Sequence, residues 1–318
     1  MNVRPLERLD GTIRRGAYFR LCWVGLICGW LSIGELPSAI AEAASLQAGP
    51  VGQPQGKWNE QLWWVPVRSG GHVFLLETLV FRPSGTGKFP LVTLNEGLPP
   101  AAPNYTSLLR KRSPYEFKTA ALWFVDHGYA VAIPMRRGVG RSQGNFAEGE
   151  HGYPSHPTLV LDGKATASDI GTVITYMQQQ PFVDPARVVV VGNSAGAWGV
   201  LVLATDPPKG VVGVINVGGG RRGSLTVTVK DNDLVEAAAT LGQKNRLPQL
   251  WLYSANDKLF SLALGHAMYD AFAKRSRFKV EFSDLPPFAS SGHRLLYDGS
   301  PTLWEQPVER FLQSLATK

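Results

Sequence analysis

Four consecutive valines, Val188 to Val191, run into Gly192-Asn193-Ser194-Ala195-Gly196 and on into an apolar stretch of helical character at 195–205. A strand of β-branched residues without polar alternation has to be covered on both faces, as happens in a parallel sheet layered between helices. The turn that follows must pass from strand to helix within about one residue, so small side chains are needed on either side of Ser194. The helix opening at Ala195 then directs the positive end of its dipole at that serine. A glycine-rich dinucleotide turn is the competing reading of Gly192, Gly196 and Gly199. Their spacing departs from G-x-G-x-x-G, and they lie late in the chain instead of after its first strand. The segment is therefore read as a G-x-S-x-G elbow that presents a serine nucleophile.

Strand-like and helix-like runs alternate through the rest of the chain. Residues 62–67 and 72–82 flank Arg68-Ser69-Gly70-Gly71 and read as an opening antiparallel hairpin. Further strands are expected at 89–95, 129–134, 187–192, 210–217, 247–254 and 278–282. Helices are expected at 116–127, 165–180, 195–205, 261–274 and 302–315. This order predicts an α/β domain over 58–318 with a mostly parallel sheet and helices on both faces. A Gly-, Pro- and Gln-rich lead-in at 44–57 is expected to be flexible. A hydrophobic fraction of 44% is enough to fill such a core. The formal charge of +7 comes from 32 basic and 25 acidic residues, and no run of like charges gathers it into a nucleic-acid-binding stripe, so no nucleic-acid partner is expected.

The first residues follow a different logic. Arg4, Arg8, Arg14, Arg15 and Arg20 precede fourteen uncharged residues at 21–34, and Ala39-Ile40-Ala41-Glu42-Ala43 offers small residues at cleavage spacing. Residues 1–43 are thus expected to be a signal peptide, cleaved near Ala43, that leaves the mature protein periplasmic or secreted. The apolar run is shorter than the ~20 residues of a spanning helix, so no stable membrane insertion is expected after cleavage. Arg14-Arg15 would suit twin-arginine export, but Ala17 stands where that signal has Phe. Cys22 and Cys28 both fall in the leader, and Ile27 before Cys28 does not suit a lipoprotein site. The mature chain consequently has no thiol for catalysis, disulfide formation or metal binding.

In a sheet of this kind, chemistry gathers at the carboxyl ends of the strands. The strand at 250–254 leads to Asp257, which is placed as the acid that orients a histidine. Asp231 and Asp233 have no strand before them and Asp284 follows the next strand, so all three are read as solvated carboxylates. Only His266 and His293 lie beyond the elbow. His266 falls inside a helix, whereas His293 sits in Ser290-Ser291-Gly292-His293, a loop from which an imidazole would reach both Ser194 and Asp257. His72, His127, His151 and His156 precede the elbow. Glu148, Glu150, His151 and His156 lack any helical or finger-like ligand spacing, so neither a metal nor another cofactor is expected. The oxyanion is assigned to the N–H groups of Ala195 and Leu98, with Gly97 turning the backbone inward.

Asn95-Glu96-Gly97, Arg137-Gly138-Val139-Gly140-Arg141-Ser142, the elbow, Asn256-Asp257 and Gly292-His293, in this order, resemble the dienelactone hydrolase-like branch of the α/β-hydrolase superfamily over about 62–315. Two positions depart from the pattern. Ser194 replaces the cysteine nucleophile of true dienelactone hydrolases, and Glu96 stands where many relatives carry His. The resemblance implies an α/β-hydrolase fold with an eight-stranded sheet and a short cap or none. It also implies hydrolysis through an acyl-enzyme on Ser194, with His293 as base and Asp257 as orienting acid. Glu96, Arg221 and Arg222 are candidate substrate-binding residues, the arginines lying at the carboxyl end of a strand where they would attract an acidic group. The segment 218–247 is too short and too charged for a long apolar lid, which favours small soluble ester substrates. Two alternatives are a serine peptidase of the prolyl-oligopeptidase-like type and a non-catalytic binding protein on the same fold. Peptidase relatives usually carry a large extra domain, and loss of activity usually removes one of the three residues.

Overall fold

The computed structural model describes residues 46–99, 101–146, 156–222 and 228–316. The signal peptide expected at 1–43, with its cysteines and cleavage site, lies outside the described residues, as do Glu148, Glu150 and His151. The described chain belongs to one compact unit, Ser45–Lys318.

Strand β1 (Gly49–Pro50) pairs antiparallel with β2 (Gln61–Ser69), which forms a hairpin with β3 (His72–Phe81). Next come β4 (Phe89–Asn95), α1 (Tyr105–Arg110), α2 (Lys118–Asp126), β5 (Ala130–Pro134), α3 (His156–Met177), β6 (Val183–Asn193) and α4 (Ala195–Leu203). The chain continues with β7 (Val211–Val217), α5 (Asp231–Lys244), β8 (Gln249–Ser254), α6 (Leu262–Ala273), β9 (Val280–Leu285), α7 (Leu295–Asp298) and α8 (Glu305–Ala316). The sheet order is β1-β2-β3-β5-β4-β6-β7-β8-β9, antiparallel as far as β5 and parallel beyond it.

The valine run divides between two cores. Val189 and Val191 pack in the layer with α2, α7 and α8, while Val188 and Val190 pack in the opposite layer with α3 and α4. Alternating side chains of one fully apolar strand thus seal both faces, as the unbroken run requires. A third cluster joins Trp198 of α4, Trp251 and Tyr253 of β8, and Phe272 of α6.

Four expectations are corrected. The sheet has nine strands instead of eight, because Gly49 and Pro50 pair with Trp64 and Trp63. The lead-in is accordingly part of the sheet edge, where the Val51 N–H bonds the Leu62 carbonyl at 2.8 Å and Gln55 bridges to Glu60. The stretch around Asp231 and Asp233, read as polar loop, is helix α5. Its Leu234, Ala237, Ala238 and Leu241 recur on one face and are buried, while Asp231 and Asp233 in the first turn and Lys244 in the last match the helix dipole. The second helix also begins earlier than expected, at His156.

Candidate active site

Ser194 sits between β6 and α4 with φ 56° and ψ −122°, a left-handed conformation that is costly for a residue with a Cβ and so marks a built-in strain. Close packing holds it there. A Cβ on Gly192 would come within 2.5 Å of the Ala197 nitrogen, and one on Gly196 within 2.3 Å of the Asn95 carbonyl oxygen. The Ser194 N–H bonds the Val217 carbonyl at 3.0 Å, which ties the elbow to the end of the next strand.

Asp257 and His293 are brought together as the sequence predicts. His293 Nδ1 lies 2.8 Å from Asp257 Oδ2, with the carboxylate buried and the imidazole nearly so. An ionised carboxylate only accepts, so Nδ1 carries the proton and Nε2 keeps its lone pair. Asp257 Oδ1 accepts the Leu259 and Phe260 N–H groups at 2.8 and 3.0 Å, which fixes the carboxylate plane. The elbow is joined to the base through Asn193 Nδ2, which donates to the His293 carbonyl at 3.4 Å.

Asn256 holds the loop that carries His293. Its Oδ1 accepts the Phe288 and Gly292 N–H groups at 3.0 and 2.9 Å, and its Nδ2 donates to the Phe288 and Ala289 carbonyls at 3.2 and 3.1 Å. In the sequence Asn256 simply precedes Asp257 and carries no assigned role. The only available signal was an amide side chain next to the acid at a strand end.

Of the two expected oxyanion donors, Ala195 is the first residue of α4, whose N–H has no intrahelical acceptor. Leu98 is half-buried on the loop after β4. The glycine between this loop and the serine is held by residues that sequence reading missed. The Gly97 N–H donates to the Tyr297 hydroxyl at 2.8 Å, and Arg112 Nη1 donates to the Gly97 carbonyl at 3.1 Å. Arg112 also donates to the Tyr297 hydroxyl at 3.3 Å and to Glu116 at 2.7 Å. Burial pushes the Tyr297 phenol above its ordinary range, with Arg112 pulling it back. Burial alone would depress the Arg112 guanidinium, but Tyr297 and Glu116 hold it above its ordinary value. Tyr297 lies two hundred positions from Gly97, so no local pattern announces the pair.

Glu96 is corrected from substrate-binding residue to internal ion pair. It is 1% exposed, and its Oε1 accepts from Arg136 Nε at 2.9 Å and from the Arg136 N–H at 3.2 Å. Arg221 is buried, so it does not stand at an open pocket mouth as expected. Arg222 is exposed, with its guanidinium 4.7 Å above the Phe260 ring and donating to the Leu259 carbonyl; Phe260 itself lies 5.6 Å from the His293 ring. The Arg137–Ser142 segment is a structural knot. Arg137 pairs with Asp169 at 2.8 Å, Arg141 pairs with Glu77 at 2.8 Å, and the Ser142 hydroxyl links the Met135 carbonyl to the Glu77 N–H. Burial pushes the Asp169 carboxyl up, and Arg137 opposes the shift. His266 and Asp284, set aside as surface residues, pair with each other at 2.9 Å with both side chains exposed. No group of three His, Cys, Asp or Glu among the described residues is arranged to hold a metal ion.

The family model for X-Pro dipeptidyl-peptidase (S15 family) matches residues 71–277, a span that includes Ser194 and Asp257. No curated protein matches the chain. Among solved structures, a candidate dienelactone hydrolase of Klebsiella pneumoniae subsp. pneumoniae MGH 78578 superposes with a TM-score of 0.54 at 16% identity, covering 81% of this chain and 98% of the other. The acetyl xylan esterase of Paenibacillus sp. R4 gives 0.56 at 14% identity, covering 84% and 88%. The acylaminoacyl peptidase of Pyrococcus horikoshii gives 0.56 at 14% identity, covering 82% of this chain but 42% of the peptidase. The fold these structures share is that of α/β-hydrolases.

Proposed function

This chain belongs to the X-Pro dipeptidyl-peptidase (S15) family, a lineage of α/β-hydrolase serine hydrolases, and from that premise we propose that it cleaves small soluble carboxylic esters through an acyl-enzyme on Ser194. The observation that carries this reading is the strained elbow serine together with the 2.8 Å Asp257–His293 contact at the carboxyl edge of the sheet. His293 Nε2 takes the Ser194 hydroxyl proton as Oγ attacks the acyl carbon. The Ala195 and Leu98 N–H groups receive the negative charge of the carbonyl oxygen, and the proton then passes to the departing alkoxide. Water repeats the sequence in reverse: His293 removes its proton, hydroxide adds to the acyl carbon, Ser194 leaves with the returned proton, and the acid is released. Asp257 orients the imidazole and stabilises its charged form.

The ester reading, against peptide cleavage from a free amino terminus, is supported by the state of the nearby carboxylates. A terminal ammonium needs an unengaged acid to meet it. Among the described residues, Glu96, Glu116, Asp169 and Asp257 are paired with Arg136, Arg112, Arg137 and His293. Small soluble substrates fit the placement of α5, whose apolar face is turned into the core against α3 and α6. The signal peptide reading is part of the same proposal: export with cleavage near Ala43, which mass spectrometry of the periplasmic fraction checks, an intact Met1 terminus there refuting it.

The activity test is a comparison of acetyl and butyryl chromogenic esters with X-Pro anilides, for the native chain and Ser194→Ala. Ester turnover is expected to exceed anilide turnover, and the substitution is expected to lower it by roughly 10⁴–10⁶-fold. Anilide turnover that exceeds ester turnover would establish the peptidase reading. Equal labelling of Ser194→Ala and the native chain by a fluorophosphonate would refute the nucleophile.

A further inference from the structure

Strands β4, β6, β7, β8 and β9 are parallel and start at one edge of the sheet, and α5 and α6, which precede β8 and β9, end there. Nine exposed basic side chains collect along this edge: Lys88, Arg187, Lys209, Lys244, Arg246, Lys274, Arg275, Arg277 and Lys279. The connections that carry them touch one another. The Phe89 N–H bonds the Phe182 carbonyl at 2.9 Å, and Gln178 Nε2 bonds the Pro185 and Lys209 carbonyls at 2.7 Å each. The Arg246 N–H bonds the Ala204 carbonyl at 2.9 Å, and Asn245 Nδ2 bonds the Ser276 hydroxyl at 2.9 Å.

The acids on the same connections and helix end are Asp184, Asp206, Asp270 and Glu281, and Asp126 ends the helix that leads into β5, which is parallel to β4 and starts at the same edge. Three of them pair with Arg187, Arg246 and Lys279. Lys209, Lys244, Lys274, Arg275 and Arg277 form no ion pair among the described residues. At the centre of the basic turn between α6 and β9, Phe278 is 42% exposed. Its exposure is fixed by the turn itself, since the Ser276 hydroxyl accepts the Phe278 N–H at 3.1 Å and donates to the Phe278 carbonyl at 3.0 Å.

We infer that this edge is a docking surface for an anionic lipid bilayer, with Phe278 entering the headgroup layer and the basic side chains meeting the lipid charges. Clustered basic residues are drawn to anionic leaflets within about a Debye length, and an aromatic ring among them supplies the apolar contact. A single-stranded nucleic acid would call for a row of stacking rings, whereas this turn presents one. The site at the opposite, carboxyl edge is left facing solution, and the inference stands whatever that site hydrolyses.

The test is flotation of the full chain with phosphatidylcholine vesicles, with and without phosphatidylglycerol, at low and high salt. The triple substitution K274E/R275E/R277E is expected to weaken binding to the anionic vesicles by more than about tenfold. The leader is the same in both chains, so a difference between them belongs to the edge, and circular dichroism confirms that the fold is kept. F278A, which preserves every charge, is expected to lower affinity several-fold while leaving the salt dependence in place. Unchanged binding of either substituted chain, equal binding to neutral vesicles, or tighter binding to a DNA or RNA strand than to anionic vesicles would overturn the inference.

Discussion

Gly97 is the residue whose replacement should bear most directly on Ser194. A Cβ there would stand 2.7 Å from the Ser194 Cβ and 3.3 Å from its Oγ, so any side chain pushes the proposed nucleophile out of line. Gly97→Ala is expected to lower kcat for an ester by about 10²-fold, since displacements on this scale cost that much, and to lower the melting temperature as well, because the Ser194 Cβ it meets is held by packed backbone. Steady-state kinetics beside calorimetry checks both halves. Tyr297→Phe takes away the acceptor of the Gly97 N–H and an acceptor of Arg112. Leaving buried donors unpaired costs about 1–3 kcal/mol each, so a clear loss of stability is expected, with kcat reduced more than KM is raised. A Tyr297→Phe enzyme with native kcat would show that the glycine needs no such anchor.

Among the elements, α5 decides whether the region after β7 is lid or cover. A lid would expose apolar side chains toward the site, whereas Leu234, Ala237, Ala238 and Leu241 are all buried. Leu241→Ala is therefore expected to destabilise the domain by about 2–5 kcal/mol, seen in urea or thermal unfolding, while kcat per folded molecule stays native. A change in substrate chain-length preference instead would return α5 to the role of lid. This helix escaped sequence reading because its charged outer positions, Asp231, Asp233, Glu236 and Lys244, mask an inner face with only two leucines among alanine and glycine, which carry a weak hydrophobic signal. Strand β6 was legible for the opposite reason: its valines at 188–191 have no polar interruption to misread.

Across the whole molecule, stability should be limited on the alkaline side by buried phenols. Burial raises Tyr253 and Tyr297 above their ordinary value because a charged phenolate is poorly solvated there. A folded pKa above the unfolded one means that the stabilisation is complete below about pH 10 and is lost as the pH rises through the folded values. The melting temperature is expected to drop steeply above about pH 10, and Tyr297→Phe should make that drop shallower. Thermal unfolding across the alkaline range measures both slopes, and parallel slopes for the two chains would remove Tyr297 from the effect.

The sequence by itself determined the elbow serine, the acid at the end of β8, the histidine in the loop after β9 and the alternation that builds the sheet. Each of these rests on local spacing, which the backbone converts directly into position. Tertiary structure alone decided that Glu96 is spent on Arg136, that Arg221 is buried, that Tyr297 and Arg112 hold Gly97, and that Asn256 pins the loop of His293. It also decided that the basic turn at 274–279 shares one edge with lysines and arginines from distant connections. Those outcomes depend on which distant segments meet when strands pair out of chain order, and partners of long side chains are set by that meeting and not by their neighbours in sequence.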